Sequence, residues 1–217
     1  MVERIPLALL GALCGWLVGA VSAWATAWLE GESNDAKARP PGPLVLIAPD
    51  PVVQGCCALA WAAAALWLTG EWWRPWAGGL LAVPLAQVAV TDFRTRYVYT
   101  LYAGVGLILG LGLGWLVHGA PWWTSVAGAL GGLVTFALLY WLGRLIFRRE
   151  AMARGDITIA AMVGAGAAAC TPQALLYGVL IGGLIGAATL IFRRQLGTFM
   201  PYGPGLCCGG LVALYLC

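Results

Sequence analysis

WWTSVAGALGGLVTFALLYWLGRLIF, residues 122–147, carries a single charge, at Arg144. It is long enough to cross a bilayer as one helix, since a spanning helix needs roughly 20 apolar residues. Stretches of this kind recur from end to end of the 217-residue chain, in which 61% of residues are hydrophobic and 10% charged. Soluble domains are roughly 45–50% apolar, so the chain reads as all-α, a polytopic transmembrane helical bundle in the lipid bilayer. Pro, Gly and charge clusters divide it into about eight spans, six to eight being possible because the last three are short or Gly-rich. They run approximately over 5–29, 52–69, 75–91, 98–118, 122–147, 157–171, 173–192 and 203–217. The first is too long for the core of a signal peptide and precedes no persuasive small-residue cleavage site, so it is expected to be retained.

Charge distribution orients the bundle. With the N-terminus outside, Lys37, Arg39, Arg94, Arg96, Arg144, Arg148, Arg149, Arg154, Arg193 and Arg194 fall in the cytoplasm and only Arg4 and Arg74 outside. That asymmetry follows the positive-inside rule, and the formal net charge of +3 adds little to it. Nothing in the chain supports nucleic acid binding, and no internal repeat suggests the paired halves of a transporter. Gly106, Gly110 and Gly114, then Gly128 and Gly132, then Gly178, Gly182 and Gly186 recur every four residues, the spacing at which membrane helices approach closely. The stretch 30–51 is the one polar, Pro-rich connection of any length and is too short for a second folded domain, so residues 1–217 are expected to form a single domain.

The cysteines, Cys14, Cys56, Cys57, Cys170, Cys207, Cys208 and Cys217, lie in or beside apolar runs and form no C-x-x-C pair. They read as small buried hydrophobes, and zinc-site spacing is absent, so neither a metal nor a cofactor is expected. His118, the lone histidine, falls on the outer face and is given no role.

Two carboxylates stand out. Asp92, in TDFRTRYVY from Thr91, ends an inward-going span; Asp156, in ARGDITIAA from Ala153, begins an outward-going one. A carboxylate beside hydrocarbon is costly and therefore a functional candidate. Both reach the same cytoplasmic face, where helix packing could join them into one catalytic site. The ordinary explanations are an N-terminal cap for Asp156 and a solvated ion pair with Arg94 or Arg96 for Asp92.

The flanking residues weigh toward chemistry. ARGDITIAAMVGA resembles the G-x-G-D signature of the type IV prepilin peptidases, membrane aspartyl proteases, and TDFRTRYVYT resembles that family's first aspartate motif. FMPYGPGLCCGGLVAL resembles the P-F-G-P segment leading into the family's last helix, with Pro201, Tyr202, Gly203 and Pro204 in register, and GWLVGA from Gly15 to Ala20 is a fainter echo of its first helix. The chain departs from the pattern at Ala153, where the signature has its first Gly, at Thr158, where a Lys commonly follows, and at Tyr99, where a Pro often stands.

The resemblance implies an aspartyl endopeptidase of the bacterial inner membrane, its active site facing the cytoplasm, that removes the basic leader from type IV prepilins or pseudopilins. Asp92 and Asp156 would be catalytic, sharing a proton as neighbouring carboxylates do. Gly155 would support them by permitting a tight turn and close approach of substrate backbone. Arg94, Arg96 and Arg154 could tune the pair, although topology alone accounts for them. Many family members also N-methylate the new terminus through a larger, cysteine-bearing cytoplasmic domain. Here the short loop 30–51 stands in its place without cysteine, so methylation is expected to be absent or much reduced. Two readings compete: a small transporter using two acidic residues, which would favour carboxylates near the bilayer midplane, and a non-catalytic scaffold of a pilus or secretion system.

Overall fold

The computed structural model describes residues 4–34, 51–68, 70–95, 100–147, 153–193 and 202–217. Among them the chain forms α1 (Ile5–Asn34), α2 (Pro51–Trp67), α3 (Arg74–Thr95), α4 (Thr100–Val117), α5 (Trp123–Phe147), α6 (Arg154–Ala167), a 3-10 turn (Ala168–Cys170), α7 (Thr171–Arg193) and α8 (Gly203–Leu216). No strand occurs in the described residues. The all-helical expectation holds, with two adjustments. α1 runs on to Asn34, into the segment read as loop, while 35–50 lie outside the described residues.

The count of about eight spans is slightly high, because α6 and α7 join through the 3-10 turn into one apolar run, Arg154–Ala188, of 35 residues. Arg74–Phe93 and Trp123–Ile146 are likewise long and apolar enough to cross a membrane, by length and composition, and four shorter apolar helices accompany these three. Among the described residues the apolar helical stretches therefore number seven. A boundary read from composition separated α6 from α7 at Cys170–Thr171–Pro172, yet Pro is well tolerated in the first turn of a helix and does not interrupt the apolar run.

The chain divides into two compact units, Met1–Gln87 and Val88–Cys217. In the first, Gly11, Gly15 and Gly19 form a ridge on α1 that meets Trp61, Cys57 and Gln54 of α2. The reversed order of those partners makes the two helices antiparallel. Without side chains on that ridge the backbones can approach closely, the basis of membrane helix association. Trp61 also meets Trp76 of α3 edge-on, with ring centroids 6.2 Å apart, a geometry favoured by the aromatic quadrupole.

The second unit is built around α6, which packs against α4, α5, α7 and α8. Every residue from Ile159 to Ala167 is buried. Small residues make that possible: Gly110 and Gly114 of α4 rest on Ala165 and Gly166, while on α5 Gly128 meets Gly164 and Gly132 meets Ala160. Gly178 and Gly182 of α7 do the same against Leu206 and Gly205 of α8. The four-residue glycine spacing thus does in the fold what it suggested in the sequence, at these six positions.

The far end of α6 is closed by specific bonds. Ala168 caps it with φ 48°, the one positive-φ residue other than glycine among those described. The Thr171 hydroxyl shares its proton between the carbonyls of Gly164 (3.0 Å) and Ala168 (2.6 Å), which also accept the backbone N–H groups of Ala168 and Thr171 respectively. Cys170 is disulfide-bonded to Cys217, tying this turn to the end of α8 across a Cα–Cα distance of 6.3 Å. The reading of all seven cysteines as small hydrophobes is corrected for this pair. Cys14, Cys56, Cys57, Cys207 and Cys208 take no part in a disulfide and are buried or half-buried, as that reading expected.

Candidate active site

Asp92 sits in the last turns of α3 and Asp156 in the first turn of α6. Both belong to the second unit. They are 5% and 3% exposed, and the charge on Asp92 acts on Asp156. The packing of the unit therefore brings together two carboxylates that the sequence places far apart. Each stands at a helix end, the position the sequence indicated.

The two aspartates are held differently. The N-cap of α6 is Ala153, with extended backbone (φ −73°, ψ 145°) and no side-chain cap. Asp156 lies at the third helical position, and its carboxylate accepts a hydrogen bond from the Ala153 backbone N–H. This is the reach-back half of a capping box, so the ordinary explanation for Asp156 is realised in part, from N3 instead of the cap itself. One hydrogen bond leaves most of the acceptor capacity of a carboxylate unused.

Asp92 has less support. Its Oδ2 is buried and makes no hydrogen bond among the described residues. Thr91 beside it turns away and donates to the carbonyl of Val88 at 3.2 Å within its own helix. A buried polar atom without a partner costs about 1–3 kcal/mol, and such an expense calls for an explanation other than stability. At 5% exposure the carboxylate is not the solvated one that the ion-pair reading expected. The side chains of Arg94 and Arg96 lie outside the described residues, and Arg154 is exposed.

A third element completes the site. Gly203, the first residue of α8, lies directly against the Asp92 carboxylate, and a Cβ built on it would collide with Oδ2 and come within 2.9 Å of Ile159 Cδ1 on α6. One turn further along α8, the fully buried Cys207 is within electrostatic range of both Asp92 and Asp156. Sequence reasoning placed Gly203 in register with a motif without assigning it to the site. The signal available was the run Pro201–Tyr202–Gly203–Pro204 ahead of an apolar helix, which marks a helix start but not its neighbour.

Gly155 is the second residue of α6, half-buried, and is not among the glycines with positive φ. What it offers is the missing Cβ beside Asp156, within a helical turn and not a tight loop. His118 stands just beyond α4 and takes no part. A cavity of about 550 Å³ lined by residues including Trp123, Gly128, Thr135, Ala168 and Thr171 opens near the other end of α6, away from the carboxylates. Among the described residues no three His, Cys, Asp or Glu side chains cluster as metal ligands would.

What these elements define is a helical membrane bundle with a buried pair of carboxylates where three helix ends meet. The sequence profile of the type IV leader peptidase family matches residues 79–191, more than half of the chain, and the chain belongs to that family. It is similar to a prepilin leader peptidase/N-methyltransferase of Pseudomonas putida, 35% identical over 111 residues, covering 50% of this chain and 38% of the relative. It also resembles an enzyme of the same name from Stutzerimonas stutzeri, 30% identical over 76% of this chain and 57% of the relative. A third relative is the type 4 prepilin-like proteins leader peptide-processing enzyme of Escherichia coli O78:H11, 27% identical over 76% of this chain and 61% of the relative. The chain thus spans less than two thirds of each of these relatives. No solved structure matches it.

Proposed function

We propose that the protein is an aspartyl endopeptidase that removes the basic leader from type IV prepilins or pseudopilins at the cytoplasmic face of the bacterial inner membrane, without N-methylating the product. The observation that carries this reading is the pairing of Asp92 and Asp156, two nearly dry carboxylates within the family-matched residues, the charge on the first acting on the second. Peptide hydrolysis by such a pair needs one carboxylate ionised, to take a proton from the attacking water, and one protonated, to donate to the scissile carbonyl or the leaving amine. Mutual repulsion favours that split, and the proton then belongs to the pair and to neither residue alone. The unpartnered Oδ2 of Asp92 can accept from a water when the carboxyl is ionised, or donate to a substrate carbonyl when it carries the proton.

The orientation has support independent of arginine counting. Asp156 begins α6 and Gly203, beside Asp92, begins α8, whereas Cys170 follows the end of α6 and Cys217 follows the end of α8. The disulfide and the carboxylates are therefore at opposite ends of the same two helices. Disulfides persist on the oxidising side of a bacterial inner membrane and not in the cytoplasm, which supports the reading that the carboxylate end faces the cytoplasm. A substrate with a basic cytoplasmic leader and a following hydrophobic helix presents its cleavage point at that depth.

Co-expression with candidate prepilins tests the reading. Leader removal is followed by gel shift for wild type, Asp92→Ala and Asp156→Ala, with membrane accumulation measured in parallel. Each single substitution is expected to abolish cleavage, and normal cleavage by either variant rejects the pair. Mass spectrometry of the processed pilin is expected to give an unmethylated N-terminus, and a methylated one from this protein alone rejects that part of the proposal.

A further inference from the structure

Gly203 deserves a role of its own, because the collision a side chain would make there is of an unusual kind. Elsewhere in α8 a Cβ would strike backbone: at Gly209 it would meet the amide and Cα of Gly178 and the carbonyl of Ala174. At Gly203 the first atoms met are the carboxylate of Asp92 and the tip of Ile159, both ends of side chains that can swing aside. A methyl group at Gly209 must therefore push helices apart, whereas one at Gly203 is accommodated by turning the Asp92 carboxyl away. The first costs stability and the second costs geometry.

The neighbouring backbone adds to this. Tyr202 caps α8 without a side-chain hydrogen bond, and Pro204 occupies the first turn. The N–H groups of Gly203 and Gly205 have no carbonyl partner within the helix, and the positive end of the helix dipole lies at the same place. Only a residue without Cβ lets that helix end lie against a carboxylate as closely as Gly203 lies against Asp92.

We infer that Gly203 is a positioning residue for proteolysis: by lacking a side chain it fixes the Asp92 carboxyl in the orientation that faces Asp156 and the scissile bond. This rests on the peptidase reading above. It goes further in assigning the glycine of the α8 start a function in the chemical step and not in folding.

The test compares purified wild type, Gly203→Ala, Gly203→Ala/Ile159→Ala and Gly209→Ala in detergent, with initial rates on a prepilin and thermal unfolding of each. Gly203→Ala is expected to lower kcat by about 100-fold, the scale of an ångström-sized misplacement of a reacting group, with KM and melting temperature close to wild type. Removing the Ile159 tip as well opens space on the other side of the added methyl and is expected to restore about tenfold of the loss. Gly209→Ala is expected to melt lower while each folded molecule keeps its kcat. The inference is overturned if Gly203→Ala keeps wild-type kcat, if its loss lies in KM alone, if the double variant regains nothing, or if Gly203→Ala fails to accumulate, which would make the contact one of packing. If wild type itself cleaves no prepilin, the peptidase reading fails and not this contact.

Discussion

The two ends of α6 are built on opposite principles. At its start, two carboxylates are nearly dry, the charge on Asp92 acts on Asp156, and one carboxylate oxygen has no partner among the described residues. At its finish, backbone N–H groups and the Thr171 hydroxyl together bond the carbonyls of Gly164 and Ala168, and a disulfide ties the turn to α8. One end is left unsatisfied and the other is fastened. Stability and reactivity often compete, and on the proposed reading this unit keeps them at opposite ends of a single helix.

That contrast breaks if substitutions at the two ends behave alike. The largest effect is expected at the carboxylates. Asp92→Asn and Asp156→Asn should each remove cleavage, the double variant should be no worse than either single one because the pair acts as a unit, and all three should melt at or above the wild-type temperature once repulsion is relieved. A melting point lowered by several degrees in both single variants would show that the pair is structural.

Next in size is the disulfide. Alkylation of unfolded, unreduced protein should modify five of the seven cysteines, and all seven only after reduction. Cys170→Ala should cost about 2–4 kcal/mol of stability, with cleavage per folded molecule unchanged. Seven modified cysteines in the unreduced protein would dissolve the contrast at its fastened end. The smallest effect belongs to Thr171→Val, which removes a hydroxyl donor from two carbonyls and should cost about 1 kcal/mol, read as a modest fall in melting temperature without change in kcat.

The sequence makes some of this legible and hides the rest for physical reasons. Apolar length identifies the helices, since nothing but a helix satisfies its backbone in lipid, and residues 122–147 anticipate α5 (Trp123–Phe147) to within a residue. The aspartates are visible because charge is rare in such a chain. Their ordinary alternatives are less so: whether Asp156 caps a helix depends on which residue takes the N-cap, and that fell to Ala153. The Cys170–Cys217 bond spans 47 residues of sequence, and neither local spacing nor hydropathy reports on two helix ends that meet in space. Gly203 is hidden in the same way, since a glycine at a helix start looks the same whether its neighbour is lipid or a carboxylate. At the α6–α7 junction Thr171 and Pro172 mark a real helix break, while the apolar character of the stretch continues across it.

Cys207 gives the protein a built-in probe. A thiol S–H stretch absorbs in a part of the infrared spectrum that other protein groups leave almost empty, and its frequency follows the local electric field. This thiol is fully buried, free, and within electrostatic range of both carboxylates. Difference spectra between wild type and Cys207→Ala isolate its band from those of the other free cysteines, and the band then reports the charge state of the aspartate pair during turnover without any attached label.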